Sequence, residues 1–190
     1  VVLNNSVPNA WALPGGKIAI NRGLLTELNS EAELAAVLGH EIVHAAARHG
    51  AKGMQRGILL QGAVVVAGIA SRGSNYENLA VRGSQTAAGL INQKYGRNAE
   101  SESDLYGMQY MSRAGYDPRA AISLQEVFVR LSEGQETDWL SGLFSSHPPS
   151  QQRVEANQAT AKTLPESGEL GVQRYKDKIA RMIRTKDDYH

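Results

Sequence analysis

The chain has 190 residues, of which 42% are hydrophobic and 21% are charged, and these proportions are typical of one folded domain. Its 20 basic residues are balanced by 19 acidic ones, and the net charge of +1 argues against nucleic acid as a partner. The sequence has no cysteine, which excludes disulfides, thiol catalysis and every cysteine-ligated metal centre. No stretch reaches the ~18 consecutive apolar residues that span a membrane. The start at Val1 without a basic and apolar leader predicts a mature or trimmed chain.

A small sheet is predicted before residue 29. Short apolar or alternating runs on either side of a Pro-Gly-Gly turn are typical of strands that include a hairpin. The predicted strands cover 1–3, 9–13 and 17–20. After Asn29 the strand signals nearly disappear, so the rest of the chain is expected to be helical.

A helix over 31–49 is the best-supported element of the sequence. Ser30 and Glu33 form a capping box at its start, and Gly50 stands where helices commonly end. Apolar residues recur at helical spacing, so this helix is expected to be buried on most sides. These residues are Leu34, Val37, Leu38, Ile42 and Ala45.

Further helices are predicted along the rest of the chain, several of them with proline at the start or glycine at the end. In chain order they cover 52–71, 77–93, 98–114, 117–132, 148–163 and 172–185. They are separated by a junction at 72–75, a loop at 133–146 and a linker at 165–171. We therefore expect an α+β fold that is predominantly helical, with the small sheet near the N-terminus packed on a helical core.

The segment 40–44 reads His-Glu-Ile-Val-His, the pattern HExxH, within the helix predicted at 31–49. Helix positions four apart differ by about 40° in direction, so the imidazoles of His40 and His44 leave one face and can reach a single metal ion. Glu41 lies beside that face, where a base can take a proton from a metal-bound water. Two ordinary core histidines are the alternative, but a buried helix face is costly for them without a cation.

A third metal ligand is expected further along the chain, and Glu100 is the candidate. Glu100 and Asp104 share one face of the helix predicted at 98–114, so one carboxylate could bind the metal while the other orients a ligand histidine. Glu102 points to another side and is the weaker candidate. The alternative to a metal ligand is that Glu100, Glu102 and Asp104 form an acidic helix face exposed to solvent. His49 follows His44 by five residues and lies about 140° away on the helix, so it is expected to face away from the metal.

The chain resembles the peptidase domain of the M48 family of zinc metalloendopeptidases, in its soluble bacterial form, over about 1–156. The resemblance depends on five motifs in order: Asn9 to Gly16, the HExxH helix with Arg48-His49 behind it, Glu100 to Asp104, Gly115 to Pro118, and Ser146 to Ser150 with Arg153. It implies a zincin-type core with the HExxH helix at its centre. It also implies a peptidase domain at 1–163, followed at 164–190 by a linker and an amphipathic helix packed on the domain or extending it.

The resemblance also implies a site of the gluzincin type. One Zn²⁺ is expected to be held by His40, His44 and Glu100, with Asp104 as an outer companion and Glu41 as general base on the zinc-bound water.

Two residues near the C-terminal end of the domain complete the expected site. His147, at a His-Pro turn, is the candidate second donor to the oxyanion. As a neutral imidazole it could instead occupy the water's position on zinc and hold the enzyme latent until its loop moves. Arg153 is expected to pair with a site carboxylate or to assist the oxyanion.

A predicted strand is expected to bind substrate. By similarity to the family, an edge strand beside the metal pairs with an extended peptide through main-chain hydrogen bonds. The residues expected to do so are Asn9, Ala10, Trp11 and Ala12.

The expected substrates are unfolded or misassembled polypeptides. Soluble family members with this organisation are typically periplasmic or associated with the outer membrane in bacteria. The resemblance therefore implies such a location for this chain, and a role in protein quality control. The segment 57–70 could associate with a membrane surface. Its alternative roles are a helix packed in the core and a lid over the cleft. A zinc-containing chaperone-like or binding module, with a latent or structural metal site, is the alternative function. The intact Glu41 favours the enzyme, because a structural site has no need of a base.

Overall fold

Helices dominate the computed structural model, which describes residues 1–70, 95–133 and 141–184. Three strands come first, β1 (Val2–Leu3), β2 (Ala10–Leu13) and β3 (Lys17–Asn21). The helices follow as α1 (Arg22–Glu27), α2 (Glu31–Ala46), α3 (His49–Ala70), α4 (Arg97–Arg113), α5 (Arg119–Glu133), α6 (Ser141–Ser146), α7 (Gln151–Ala161) and α8 (Val172–Arg184). The prediction of a predominantly helical α+β fold with a small N-terminal sheet is confirmed.

The sheet has the strand order β1-β3-β2. β1 runs parallel to β3, while β2 forms an antiparallel hairpin with it, in the register that pairs Ala10 with Ile20. Gly15 and Gly16 turn the hairpin with φ angles of 89° and 80°, which glycine adopts without the clash of a Cβ atom. β2 is therefore an edge strand within the described part of the chain.

Helix α2 ends earlier than the sequence predicts. Its start agrees with the prediction, because the Ser30 hydroxyl accepts a hydrogen bond from the Glu33 N–H at 3.1 Å. Its end at Ala46 does not, because Arg48 has a left-handed φ of 56° that breaks the helix, and His49 begins α3. The predicted continuation to 49, with Gly50 as the stop, is wrong.

The buried residues of α2 other than Glu41 and His44 are small, and the helix packs against α4. Ala32, Ala36, Gly39 and Val43 are buried, whereas Ile42 of the predicted apolar stripe is 43% exposed. A Cβ atom on Gly39 would lie 2.8 Å from the carbonyl oxygen of Gly107, so the two helices nearly touch here. This close approach brings the first turns of α4 against the HExxH segment.

Two short helices were not predicted. Helix α1 follows β3 directly and buries Leu24 and Leu25, but one and a half turns are too short to show a periodic pattern. Helix α6 lies in the segment 133–146 that was predicted as loop, and burial of Leu143 against the core outweighs its poor helix formers. Residues 134–140, the junction predicted at 72–75 and the helix predicted at 77–93 lie outside the described residues.

The core lies between the sheet, α1, α2, α5 and α8. Helix α8 contributes Tyr175 and Ile179 to it, and the Tyr175 hydroxyl donates to the Leu25 carbonyl at 2.7 Å. The final helix is therefore packed on the rest of the fold, while the domain boundary at 163/164 stays a prediction. Within the described ranges, no helix has both the length and the apolar character to cross a bilayer.

Candidate metal centre and active site

Four side chains from three segments converge at one point. His40 and His44 come from α2, Glu100 from the first turn of α4, and His147 from the residue after α6. One ligand atom from each lies within 4.8 Å of all the others. The Nε2 atoms of His40 and His44 are 2.9 Å apart, and Glu100 Oε1 lies 3.2 Å from His44 Nε2.

This donor set fits a zinc ion. Imidazole nitrogens and a carboxylate oxygen are the ligands that zinc takes in catalytic sites. Metal binding also requires deprotonated donors. Burial opposes the charged form of Glu100, but His40 and His147 outweigh it and hold the pKa of Glu100 below its usual range. Burial lowers the pKa of His44 to about 3, so this imidazole is neutral. Zinc is the cofactor to which these side chains are suited.

His40 is bound from its other side by Asp104. His40 Nδ1 and Asp104 Oδ1 are 2.9 Å apart. Burial alone would lower the pKa of His40, but the charges and hydrogen bonds of Glu100 and Asp104 raise it to about 10, so a metal that binds at Nε2 displaces a proton from this imidazole. Burial would raise the pKa of Asp104, but its hydrogen bonds from Arg153 lower it to about 2.

Arg153 binds both site carboxylates. Its Nε and Nη2 atoms each donate to Asp104 at 2.7 Å, and Nη1 lies 2.8 Å from Glu100 Oε2. Nη1 also donates to the Pro148 carbonyl, next to His147. The expected pairing of Arg153 with a site carboxylate therefore corresponds to its position in the structure.

His147 lies between the metal-binding cluster and the candidate base. Its Nδ1 is 3.2 Å from Glu100 Oε1, and its Nε2 is 3.3 Å from Glu41 Oε1. Glu41 is only 2% exposed, and its Oε2 has no hydrogen-bond partner among the described residues. His147 is thus a candidate for a further metal ligand, and it is also a neighbour of the candidate base Glu41.

Two residues near His44 were not predicted to belong to the site. His49 was expected to face away, but α2 ends before it, and its Nδ1 lies 2.9 Å from His44 Nδ1. Tyr95 stacks on the His44 ring with 3.9 Å between centroids, and burial raises the pKa of Tyr95 to about 12. The Arg48-His49 motif marked His49, but nothing in the sequence pattern marked Tyr95.

The edge strand β2 lies beside this cluster. Ala10 lines a cavity of about 70 Å³ that also contacts His40, Glu41 and the apolar Phe128. Ala12 lines a larger groove of about 400 Å³. His44, Tyr95 and the hairpin turn border that groove.

Neither of the other two strand residues expected to bind substrate is fully exposed. Asn9 is buried and its carbonyl accepts from the Asn21 N–H at 2.8 Å, while Trp11 is half-buried. The strand thus borders the cluster on one side and pairs with β3 on the other.

A family model described as peptidase family M48 matches residues 1–161. The chain belongs to peptidase family M48. The mitochondrial metalloendopeptidase OMA1 of Arabidopsis thaliana is 33% identical over 154 residues, which are 80% of this chain and 29% of the relative. Metalloprotease YcaL of Escherichia coli is 30% identical over 151 residues, 77% of this chain and 56% of the relative. A putative beta-barrel assembly-enhancing protease of Vibrio cholerae is 31% identical over 172 residues, 83% of this chain and 33% of the relative.

Membership in family M48 confirms three predictions. The family itself was predicted, and so were the class of enzyme, a zinc metalloendopeptidase among the hydrolases, and zinc as its cofactor. This M48 chain spans between 29% and 56% of the length of the three relatives. Substrates and partners of the whole protein are therefore matters for proposal.

Proposed function

We propose that this M48 chain hydrolyses peptide bonds within unfolded or misassembled polypeptides. The observation that carries the proposal is the convergence of His40, His44 and Glu100 next to the buried carboxylate of Glu41. The three would hold zinc, which when bound supplies a Lewis acid that activates water for attack on the peptide carbonyl.

Glu41 acts as the general base in this proposal. It follows His40 on α2, so its carboxylate lies beside the ligand cluster, where it accepts the proton of the attacking water. The same carboxylate then delivers that proton to the departing amine nitrogen. Burial of Glu41 excludes bulk water from this exchange, and the unpartnered Oε2 is available to receive the proton.

Asp104 and Arg153 orient the site in this proposal. Asp104 holds the His40 ring through Nδ1, and the Arg153 guanidinium fixes both Asp104 and Glu100. Outer partners of this kind set the direction of the ligand atoms and tune their basicity.

His147 holds the enzyme in a latent form in this proposal. Its Nδ1 lies within the ligand cluster and its Nε2 faces Glu41, so a substrate carbonyl needs this side chain to move. Replacement by alanine is then expected to raise the rate of casein cleavage several-fold. If His147 instead donates to the oxyanion, the same variant loses about 10²–10³-fold in kcat.

The edge strand β2 supports the choice of substrate. A polypeptide in extended form can add to the free edge formed by Asn9, Ala10, Trp11 and Ala12 through main-chain hydrogen bonds. Folded proteins rarely offer such a segment, whereas unfolded or misassembled chains do. The small side chains of Ala10 and Ala12 permit a close approach of the two backbones.

The decisive experiment compares zinc content and casein cleavage in two variants and a control. Glu41→Gln is expected to keep zinc and to lose about 10²–10⁴-fold in cleavage rate, the usual contribution of a general base. Glu100→Ala is expected to lose the zinc. Glu126→Gln, an exposed carboxylate on α5, serves as the matched control and should change neither.

The alternative function predicts a different outcome. If zinc-loaded protein cuts no unfolded substrate, even with His147 replaced, the chain is a zinc-containing chaperone-like or binding module. Cleavage by Glu41→Gln at the wild-type rate would also contradict the assigned base.

We further place the protein in the bacterial cell envelope, in the periplasm or at the outer membrane, in protein quality control. The name of the Vibrio cholerae relative supports this, whereas the OMA1 relatives are named mitochondrial. Peripheral membrane association is supported by Ile58 and Leu59 on α3, which are 62% and 72% exposed. Cell fractionation tests the location, and co-sedimentation with liposomes tests the membrane contact.

A further inference from the structure

His44 has a hydrogen-bonded neighbour on the side of its ring that faces away from the ligand cluster. Its Nε2 points into the cluster, 2.9 Å from His40 Nε2, while its Nδ1 lies 2.9 Å from His49 Nδ1. On the far side of His49, Nε2 lies 3.3 Å from Glu102 Oε2. His44, His49 and Glu102 thus form a continuous line from the cluster to the surface.

The line depends on a local feature of the backbone. Arg48 adopts a φ of 56°, a conformation that non-glycine residues rarely take, and this ends α2 and begins α3. Without this break His49 would lie about 140° round the helix from His44. With it, the His49 ring is 5% exposed and packed edge-on against His44, with centroids 4.9 Å apart.

Only one arrangement of ring protons satisfies these contacts once His44 binds a metal through Nε2. Its Nδ1 must then carry the hydrogen, which it donates to Nδ1 of His49. His49 is left with its own hydrogen on Nε2, where it donates to the Glu102 carboxylate. Each contact in the line is therefore satisfied in a single tautomer.

We propose that His49 and Glu102 are positioning residues that fix the tautomer and ring direction of His44 for zinc. This inference rests on the metal site of the proposed function. Glu102 would then serve His44 as Asp104 serves His40. The difference is that the His49 imidazole lies between Glu102 and His44. Loss of such partners typically weakens metal affinity by 10–100-fold.

The test is zinc affinity of the purified apo-protein, measured by competition with a chromophoric chelator. His49→Phe keeps a ring of similar size and removes both nitrogens, and it should weaken zinc binding about 10- to 100-fold. His49→Asn keeps an acceptor near the position of Nδ1 and should recover most of that loss. Glu102→Ala should weaken binding less, because Glu102 is half-exposed and screened by water. Glu126→Ala is the control and should bind zinc as the wild type does.

A double variant separates positioning from a merely structural role. Because Glu102 acts through His49, adding Glu102→Ala to His49→Phe should cause no further loss of zinc affinity. The thermal midpoints of the apo-proteins should differ little, and cobalt-substituted His49→Phe should show a shifted visible spectrum.

Two results would overturn the inference. One is zinc affinity of His49→Phe within twofold of the wild type. The other is an equal loss in His49→Asn and His49→Phe accompanied by an equal fall in apo-protein stability, which indicates a packing role. Wild-type protein that binds no zinc would contradict the proposed function itself, so the two failures are distinguishable.

Discussion

At the scale of single residues, Asp117 connects the start of α5 to the segment before α8. Its Oδ1 accepts from the Arg119 N–H at 2.9 Å, and the Arg119 guanidinium donates to both carboxylate oxygens. The same guanidinium donates to the Glu166 carbonyl. The hydrogen bond from Arg119 holds the pKa of Asp117 below its ordinary value of 3.8.

We predict that Asp117→Asn lowers the free energy of unfolding by about 0.3–1 kcal/mol at pH 7, because the amide lacks the negative charge that interacts with the start of α5 and with the Arg119 guanidinium. Because the folded pKa is below the unfolded one, the stabilisation is complete above about pH 4 and is lost as the pH falls through the folded value. Urea unfolding at pH 7 and pH 3 should therefore show a difference from the wild type that shrinks at pH 3. Asp177→Asn, at an exposed position on α8, is the control. A difference that stays the same at both pH values would contradict this account.

The sequence predicts those site residues that stand a few positions apart on the same helix. His40, Glu41 and His44 share one helical turn, and Glu100 with Asp104 repeats the same spacing on α4, so their common faces follow from helix geometry. His49 could not be predicted in the same way, because its position depends on a left-handed residue in a sequence that reads as continuous helix. Tyr95 reaches His44 through the tertiary fold alone.

At the scale of elements, the contact between α2 and α4 decides whether a metal site can form. Helix α2 carries two of the candidate ligands and α4 carries the third. The helices meet at Gly39 and Gly107, where a Cβ atom on Gly107 would lie 2.9 Å from the His40 backbone nitrogen. Glycine at both positions therefore permits a separation at which Glu100 reaches the two histidines.

We predict that Gly107→Ala pushes the two helices apart and weakens zinc binding together with stability. An added methyl in a tight contact commonly costs 1–3 kcal/mol. Gly57→Ala on α3 is the matched control, since a Cβ atom there meets no described atom within 4 Å. It should leave zinc binding unchanged and stabilise the protein by about 0.5–1 kcal/mol through helix propensity. Chemical unfolding and zinc competition measure both effects, and equal outcomes for the two variants would be inconsistent with the close contact.

The long helices were predictable from capping and periodicity, whereas the short ones were not. The Ser30 capping box places the start of α2 correctly, and α4 and α8 begin within one residue of their predicted starts. Helices α1 and α6 have six residues each and depend on burial of Leu24 and Leu143 against elements distant in sequence. Burial of this kind is a property of the assembled core and leaves no local pattern.

At the scale of the whole molecule, helix α8 closes the core at the end of α2 that is opposite the metal cluster. Arg174 binds Glu31 in the first turn of α2, and its Nη1 donates to Glu169 at 2.8 Å. Tyr175 is 3% exposed and donates its hydroxyl to the Leu25 carbonyl, and burial raises its pKa above the ordinary value. The helix thus contributes to stability at a distance from the residues that bind zinc.

We predict that Tyr175→Phe lowers the free energy of unfolding by about 1–3 kcal/mol, because it leaves the Leu25 carbonyl buried without its donor. For a chain of this size the thermal midpoint should fall by about 2–4 °C per kcal/mol. Zinc affinity of the folded protein should stay at the wild-type value, since Arg174 of α8 binds Glu31 in the first turn of α2, whereas the HExxH segment lies in its last two turns. Tyr110→Phe on α4 is the matched control, because Tyr110 is 38% exposed and should change stability by less than about 0.5 kcal/mol. A loss of zinc affinity in Tyr175→Phe without a change in stability would mean that the two ends of α2 are coupled, contrary to this separation of roles.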